Sequence, residues 1–153
     1  MHLHSKSFVS FVSADRRTYG CPQGKYVESV GELLPLELKD RAAKLYNAPV
    51  ANMYGSEEMN GIAYECPFHQ MHILSENVYV ECQNITGTHP FGQGEAIITN
   101  LVNKAMPLIR YNQGDIITLE NLYRPCPCGS TEPVVSKITG RVYENITVGE
   151  LDL

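Results

Sequence analysis

The sequence predicts an α/β fold in which a strand, a helix and a second strand lead into a β-rich, barrel-like half. Residues 26–30 form a short strand candidate, and residues 35–46 carry apolar side chains at helical spacing behind a first-turn proline. Residues 49–54 form an apolar strand candidate that ends at Gly55. From Gly61 onward, Gly, Pro and Asn signals separate further strand candidates, namely residues 72–74, 78–82, 95–100, 108–111 and 116–119.

Size and composition limit the classes of protein to which the chain can belong. Its 153 residues, 43% hydrophobic and 19% charged, fit one globular domain, residues 1–153. The net charge of -5 without a basic stripe argues against nucleic-acid binding. No apolar run reaches the roughly 18 residues of a membrane span, and the apolar stretch 8–12 is too short for a signal peptide. With an odd number of cysteines, this predicts a cytoplasmic protein without a membrane partner.

The first candidate site is Tyr-Gly-Ser-Glu-Glu at residues 54–58. Gly55 lets the chain turn tightly, Tyr54 offers a ring face for a planar group, and Glu58 is the kind of oxygen ligand that magnesium prefers. Without further context, a solvated acidic turn is the simpler interpretation of these residues.

The second candidate site is the loop that leads from Arg110 to Asp115. Gly114 supplies a turn, and the Asp115 carboxylate can accept hydrogen bonds from both hydroxyls of a ribose. A Gly-Asp turn between strands is otherwise common. We expect Arg110 to brace this loop rather than to contact substrate.

In this order, the two motifs resemble those of the adenylate-forming enzymes, most closely the phenylacetate-CoA ligase and coenzyme F390 synthetase branch. The resemblance extends from about Tyr26 to Asn145 and implies a partial large domain of the ANL type. It implies that Glu58 holds the magnesium of ATP, that Tyr54 flanks the adenine beside Gly55, and that Asp115 binds the ribose.

The same resemblance implies roles for two other segments. Gly31 and Glu32 match the loop that lines the adenine pocket, although Leu33 replaces the usual proline. As bare sequence they form a loop into a helix, with Glu32 near the helix N-terminus. Arg141 matches the arginine that approaches the ribose or phosphate and opens the hinge to a C-terminal domain. Residues 141–153 would then be a remnant of that hinge, although Tyr143 replaces the hinge aspartate.

A second constellation predicts a structural zinc site. Cys66 and His69 form a Cys-x-x-His pair, and Cys126 and Cys128 form a Cys-x-Cys pair beside tight-turn residues. Three thiolates and one imidazole complete a tetrahedral zinc shell, and some members of the resembled branch have a comparable cluster. The alternative is unrelated cysteines with a surface histidine. We interpret His72 as a hydrogen-bonded strand residue, with a substrate-pocket role as the alternative.

The resemblance therefore predicts a fragment or shortened paralogue of an ATP-dependent, AMP-forming carboxylate-CoA ligase that binds ATP or AMP with magnesium. The family's Ser/Thr/Gly-rich phosphate loop is not found in the sequence, and only twelve residues follow Arg141. We therefore expect no acyl-CoA formation by this chain alone. The alternative is a non-catalytic, zinc-stabilised module that binds a nucleotide or a protein. The sequence leaves open which acid is used, and whether a protein partner or a second copy supplies missing parts.

Overall fold

The computed structural model describes residues 26–84 and 87–141, together with the backbone of residues 8–12. These ranges contain one helix and a ten-stranded sheet. The elements are β1 (Phe8–Val12), β2 (Tyr26–Val30), α1 (Leu36–Tyr46), β3 (Val50–Ser56), β4 (Asn60–Glu65), β5 (Met71–Ile73), β6 (Val78–Asn84), β7 (Gly87–His89), β8 (Gly92–Asn100), β9 (Tyr111–Glu120) and β10 (Val134–Arg141). In the described residues, no helix has the length and apolar character needed to cross a membrane.

The sheet has the strand order β1-β2-β3-β4-β5-β10-β9-β8-β6-β7. Only β2 and β3 pair in parallel, and α1 forms the crossover between them, as parallel neighbours require. Every other neighbouring pair is antiparallel. The predicted strand-helix-strand unit and the β-rich half that follows are therefore confirmed.

Helix α1 begins after Pro35, whose carbonyl accepts a hydrogen bond from the Lys39 amide at 3.0 Å. It ends at Asn47, which adopts the left-handed conformation that commonly terminates helices. Lys39 is the buried residue of the helix, whereas Leu36 and Leu45 are 55% and 77% exposed. The helix is thus present as predicted, but leucines on which the amphipathic pattern rested remain exposed.

The sheet curls around one hydrophobic core. Side chains from β3 and β4 join the same buried cluster as side chains from β6 and β8, which lie toward the other end of the strand order. Direct contacts also connect β3 with β9, four positions away in that order. This curvature gives the β-rich half its barrel-like character.

One predicted strand was misassigned, and three strands, β4, β7 and β10, were missed. Residues 108–110 are loop, because Arg110 adopts a left-handed φ of 53° that interrupts an extended chain, and β9 begins at Tyr111. Strand β10 was not predicted, because register shifts after Val135 and after Ile138 disturb its alternation.

Candidate nucleotide site and metal centre

The two predicted nucleotide motifs meet where β3 ends and β9 begins. The Tyr54 hydroxyl donates a hydrogen bond of 2.8 Å to Asp115 Oδ2. The Ser56 hydroxyl donates to Gln113 Oε1 at 3.1 Å. Contacts between side chains so far apart in the sequence require the curled sheet. The structure thus brings Tyr54 and Asp115 into direct contact.

Glu58 lies on the same side, in the turn between β3 and β4. The Tyr111 hydroxyl donates to Glu58 Oε1 at 3.5 Å, so this carboxylate also faces β9. A hydrogen bond from the Glu58 backbone N–H is the main cause that lowers the pKa of Glu58 below its ordinary value. The side chain is therefore ionised at neutral pH, as a magnesium ligand must be.

Gly55 occupies the end of β3, where two backbone segments come close together. A Cβ atom at this position would lie 2.2 Å from the Asn60 carbonyl oxygen, so any larger residue would displace the β3–β4 turn. Because that turn carries Glu58, Gly55 sets the position of the carboxylate indirectly.

The loop that contains Gly31 and Glu32 follows β2 at the same edge of the sheet. Val30 pairs with Met53, the residue before Tyr54, so Gly31 lies beside the end of β3. Gly31 has a left-handed φ of 94°, which glycine tolerates. The Asn52 side chain holds the loop to β3 through two hydrogen bonds with the Leu34 backbone.

Two arginines were assigned different roles from the sequence. Arg141 Nε lies 3.5 Å from Asp115 Oδ1, and the Arg141 side chain is 63% exposed. Arg141 therefore contacts Asp115, the carboxylate that the resemblance assigns to ribose binding. Arg110 instead contacts both carboxylate oxygens of Glu81 at 2.6 Å, and it bonds to Thr88. It braces the loop, as predicted.

Tyr54 is more enclosed than a stacking platform for adenine needs to be. Its side chain belongs to the hydrophobic core cluster, and the residue is 7% exposed. Burial and the neighbouring Asp115 carboxylate raise the pKa of the Tyr54 hydroxyl, which therefore remains a hydrogen-bond donor. The hydroxyl of Tyr54 contacts the Asp115 carboxylate.

A separate cluster unites three of the predicted metal ligands with a histidine that was not predicted as a ligand. Donor atoms of Cys66, His72, Cys126 and Cys128 all lie within 4.8 Å of one another. Among the described residues, this is the one group of His, Cys, Asp or Glu side chains found close enough together to hold a metal ion. His69 is not a member, so the structure replaces His69 with His72 as the candidate fourth ligand.

The spacing of this cluster matches a tetrahedral zinc shell. With Zn–S near 2.3 Å and Zn–N near 2.0 Å, ligand atoms lie about 3.8 Å (S to S) and about 3.5 Å (S to N) apart. Cys66 Sγ and Cys126 Sγ are 3.8 Å apart, and Cys128 Sγ is 3.4 Å from His72 Nε2. His72 Nδ1 is 3.3 Å from the Glu132 carbonyl oxygen, to which it can donate while Nε2 stays free for a metal.

The position of His69 explains why it is not in the cluster. His69 lies in the turn after β4 with a left-handed φ of 59°. Its Nδ1 is 2.8 Å from Glu65 Oε1 and 3.4 Å from Lys39 Nζ. Glu65 also forms a buried ion pair with Lys39 and accepts a hydrogen bond from the backbone N–H of Asn52. His69 thus contacts an ion pair that joins α1 to the end of β4.

The two cysteines outside this cluster are Cys82 and Cys21. Cys82 is fully buried in the core cluster, as expected for a small hydrophobic residue. Cys21, Tyr143 and the predicted hinge remnant after Arg141 lie outside the described residues.

Comparisons of sequence connect the chain with larger proteins. No protein-family model matches it. Phenylacetate-coenzyme A ligase of Thermus thermophilus is 30% identical over 104 residues, which cover 63% of this chain and 23% of that protein. Protein CapK of Staphylococcus aureus is 32% identical over 84 residues, covering 55% and 18%. The chain thus spans about a quarter or less of the length of these relatives.

Comparisons of structure give a consistent result. The fold resembles 2-hydroxyisobutyryl-CoA ligase in the postadenylation state in complex with 2-HIB-AMP, with a TM-score of 0.61 and 26% identity, over 73% of this chain and 25% of that one. An open conformation of that ligase in complex with 2-HIB-AMP and CoA gives a TM-score of 0.60 at 26% identity, over 74% and 28%.

Proposed function

Because this chain belongs to the adenylate-forming superfamily and matches part of its large domain, we propose that it is the adenosine-binding part of an ATP-dependent, AMP-forming carboxylate-CoA ligase. The observation that carries the proposal is the meeting of Tyr54, Glu58 and Asp115 at one edge of the curled sheet. These side chains come from two distant motifs, and an acidic turn without a function would not require their convergence.

In this proposal, different residues of the chain bind different parts of the nucleotide. Asp115 accepts hydrogen bonds from the ribose hydroxyls, since a carboxylate has capacity beyond its bonds to Tyr54 and Arg141. The exposed Arg141 side chain approaches the ribose or the phosphate. Glu58 provides an oxygen ligand for magnesium, and the loop at Gly31 and Glu32 borders the adenine. Bound ATP would supply the adenylyl group that the substrate carboxylate accepts, with pyrophosphate as the leaving group.

We also propose a structural zinc ion held by Cys66, His72, Cys126 and Cys128. The donor set and its distances support zinc, because three thiolates with one imidazole leave no open position for catalysis. Burial raises the pKa of the Cys66 thiol to about 11. Zinc uptake at neutral pH is therefore coupled to proton release from this residue.

A second candidate function is a non-catalytic, zinc-stabilised module that binds a protein or a further copy of the chain. The exposed leucines of α1 and of the preceding loop favour it, because Leu33, Leu36, Leu38 and Leu45 are all more than 40% exposed. A larger ligase polypeptide could cover the same face. Cytoplasmic location remains a prediction from the sequence.

Titration calorimetry tests the first candidate. The zinc-loaded chain is titrated with AMP, with ATP and magnesium, and with GMP as a base control. We expect saturable binding of the adenine nucleotides and its loss in Asp115→Ala, while Glu37→Ala, which removes an exposed carboxylate from the first turn of α1, serves as the matched control. A zinc-loaded chain that binds no adenine nucleotide would favour the second candidate.

A further inference from the structure

Cys128 differs from the other described cysteines in its accessibility. Cys66 is 3% exposed, Cys126 is 6% exposed and Cys82 is fully buried, whereas Cys128 is exposed. A small oxidant in solution can therefore reach the Cys128 sulfur, while the fold shields the sulfurs of the other three. Among the described cysteines, Cys128 is the first that a dissolved oxidant meets.

The surroundings of Cys128 provide both a reactive form of its sulfur and a partner for it. A metal-bound cysteine is a thiolate, and the thiolate is the form that attacks an oxidant. The sulfurs of Cys66 and Cys126 lie within 4.8 Å of the Cys128 sulfur. An oxidised Cys128 therefore has a second sulfur within reach of a side-chain movement.

We propose that Cys128 is the site at which hydrogen peroxide oxidises this chain, and that Cys66 is the thiol that resolves the oxidised form. The inference rests on the proposed zinc site and not on nucleotide binding. The Cys128 thiolate attacks one peroxide oxygen and the O–O bond breaks, which gives a sulfenic acid and hydroxide. The Cys66 thiolate then attacks the Cys128 sulfur, the S–O bond breaks, and a disulfide forms with release of a second hydroxide. Two thiolates are oxidised and one peroxide is reduced, and two protons from solvent convert the hydroxides to water.

Cys66 is the resolving thiol because of its place in the chain. One residue, Pro127, separates Cys126 from Cys128, so a bond between these two would close a very small ring across a residue whose φ is fixed. The Gly129 amide also donates to the Cys126 carbonyl at 2.7 Å, which holds this turn in its present shape. Cys66 belongs to a different turn, after β4, so its bond to Cys128 closes no such ring.

The oxidation replaces one cross-link with another. It consumes two of the four donors of the cluster, and Cys126 with His72 are too few to hold a zinc ion, which is released. The disulfide still joins the end of β4 to the connection between β9 and β10, the segments that the four donors connect. A thiol reductant restores the cluster, so the change is reversible when zinc is present.

Peroxide treatment of the zinc-loaded chain tests the proposal. Cys21 lies outside the described residues and is replaced by alanine in every sample. Hydrogen peroxide should remove two thiols and release one zinc ion per chain, measured with a thiol reagent and a zinc indicator. Peptide mass spectrometry should find a disulfide between Cys66 and Cys128, and dithiothreitol with zinc should reverse all three changes.

Four results of this experiment would overturn the proposal. They are a bridge between Cys126 and Cys128, oxidation of Cys82 before Cys128, retention of zinc after two thiols are lost, and no loss of thiols under conditions that fully oxidise N-acetylcysteine. A chain that takes up no zinc would overturn the proposed metal site. A zinc-loaded chain whose cluster resists peroxide would overturn this inference alone.

Two variants assign the roles of the individual sulfurs. Cys82→Ala should lose the same two thiols and the same zinc ion, because it changes a cysteine outside the cluster. Cys66→Ser lacks the resolving thiol, so the sulfenic acid should accumulate and dimedone, which labels sulfenic acids, should mark Cys128. Labelling of Cys126 in place of Cys128 would overturn the assignment. If Cys66→Ser does not fold, the disulfide map of the chain that retains Cys66 still decides between the bridges.

Discussion

His69 and Gly129 occupy equivalent positions in two turns of the same geometry. In the first turn, the His69 amide donates to the Cys66 carbonyl at 2.9 Å, and the Cys66 amide donates to the Gln70 carbonyl at 2.9 Å. In the second, the Gly129 amide donates to the Cys126 carbonyl at 2.7 Å, and the Cys126 amide donates to the Ser130 carbonyl at 2.8 Å. Both His69 and Gly129 have left-handed φ angles, 59° and 92°.

The matched turns explain which residues of each turn enter the Cys/His cluster. The first residue of each turn, Cys66 or Cys126, contributes its thiol to the cluster. The fourth position provides the left-handed conformation that closes the turn, so the histidine there takes the structural place of a glycine. The other two donor atoms of the cluster belong to Cys128, the third residue of the second turn, and to His72 on β5.

We predict that His72→Ala prevents stoichiometric zinc binding, whereas His69→Ala retains one zinc per chain. Loss of a zinc ligand should weaken the affinity at least about a hundredfold, more than the 10- to 100-fold typical of supporting residues. Elemental analysis of the purified variants, with chelator competition for the affinities, measures both effects. Zinc retention in His72→Ala together with loss in His69→Ala would restore the assignment made from the sequence.

Removal of the metal should destabilise the β-rich half. The cluster joins the end of β4, strand β5 and the connection between β9 and β10. A ligand at a hundredfold excess over its dissociation constant stabilises a protein by about 2.7 kcal/mol, and about 1 kcal/mol shifts the melting temperature of a domain of this size by roughly 2–4 °C. We expect a strong chelator to lower the melting temperature by about 5–11 °C in calorimetric scans.

The matched control for metal removal is Cys82→Ala. This variant changes a buried cysteine outside the cluster. It should melt lower than the wild-type chain because a core side chain is truncated, yet chelation should lower its melting temperature by the same increment. An unchanged melting temperature of the wild-type chain on chelation would argue against a structural metal.

The sequence could predict those parts of the fold and site that depend on local pattern. Helical spacing behind Pro35 predicted α1, and glycine followed by carboxylates marked both candidate nucleotide motifs. The bond between Tyr54 and Asp115 could not be predicted, because it depends on the curvature of a sheet in which β3 and β9 are not neighbours.

His72 was missed for a related reason. Its place in the Cys/His cluster depends on the pairing of β5 with β4 and β10, which carries it to the cysteines of a distant turn. The Cys-x-x-His spacing favoured His69 instead. The useful signal was the similarity of Cys-Pro-Phe-His-Gln to Cys-Pro-Cys-Gly-Ser, which aligns His69 with a turn glycine.

Glu28 should make stability depend on pH in a direction opposite to that of a paired carboxylate. It lines a cavity of about 440 Å³ with Tyr26, Tyr64 and Glu132, and no ion pair of Glu28 is found in the described part of the chain. Burial raises the pKa of Glu28. The charged form is therefore disfavoured in the folded state, and stability is lost as pH rises through the raised pKa.

We predict that Glu28→Gln unfolds at a higher temperature than the wild-type chain at pH 7.5. The difference should shrink as the pH falls toward the ordinary pKa of glutamate, because the wild-type side chain is then neutral in both states. Paired melting curves across this range provide the measurement, with exposed Glu57→Gln as the control. A difference that does not change with pH would show that packing, and not charge, distinguishes the variant.

The ion pair between Lys39 and Glu65 gives the last prediction. Their side chains are 8% and 6% exposed, and the pair connects the middle of α1 to the residue before Cys66. Lys39→Ala would leave the Glu65 carboxylate buried, with the backbone N–H of Asn52 and the ring of His69 as its partners. Breaking a buried pair from one side typically costs about 3–5 kcal/mol, and we expect a loss near 3 kcal/mol in denaturant unfolding because those two partners remain.

Two comparisons separate loss of the charge partner from loss of helix packing. Lys44→Ala, at an exposed position in the same helix, should change stability by less than about 0.5 kcal/mol. Lys39→Met combined with Glu65→Gln should recover much of the lost stability, since an apolar side chain then packs against a neutral amide. If the double variant is as unstable as Lys39→Ala, the buried pair owes its contribution to shape and not to the compensation of charge.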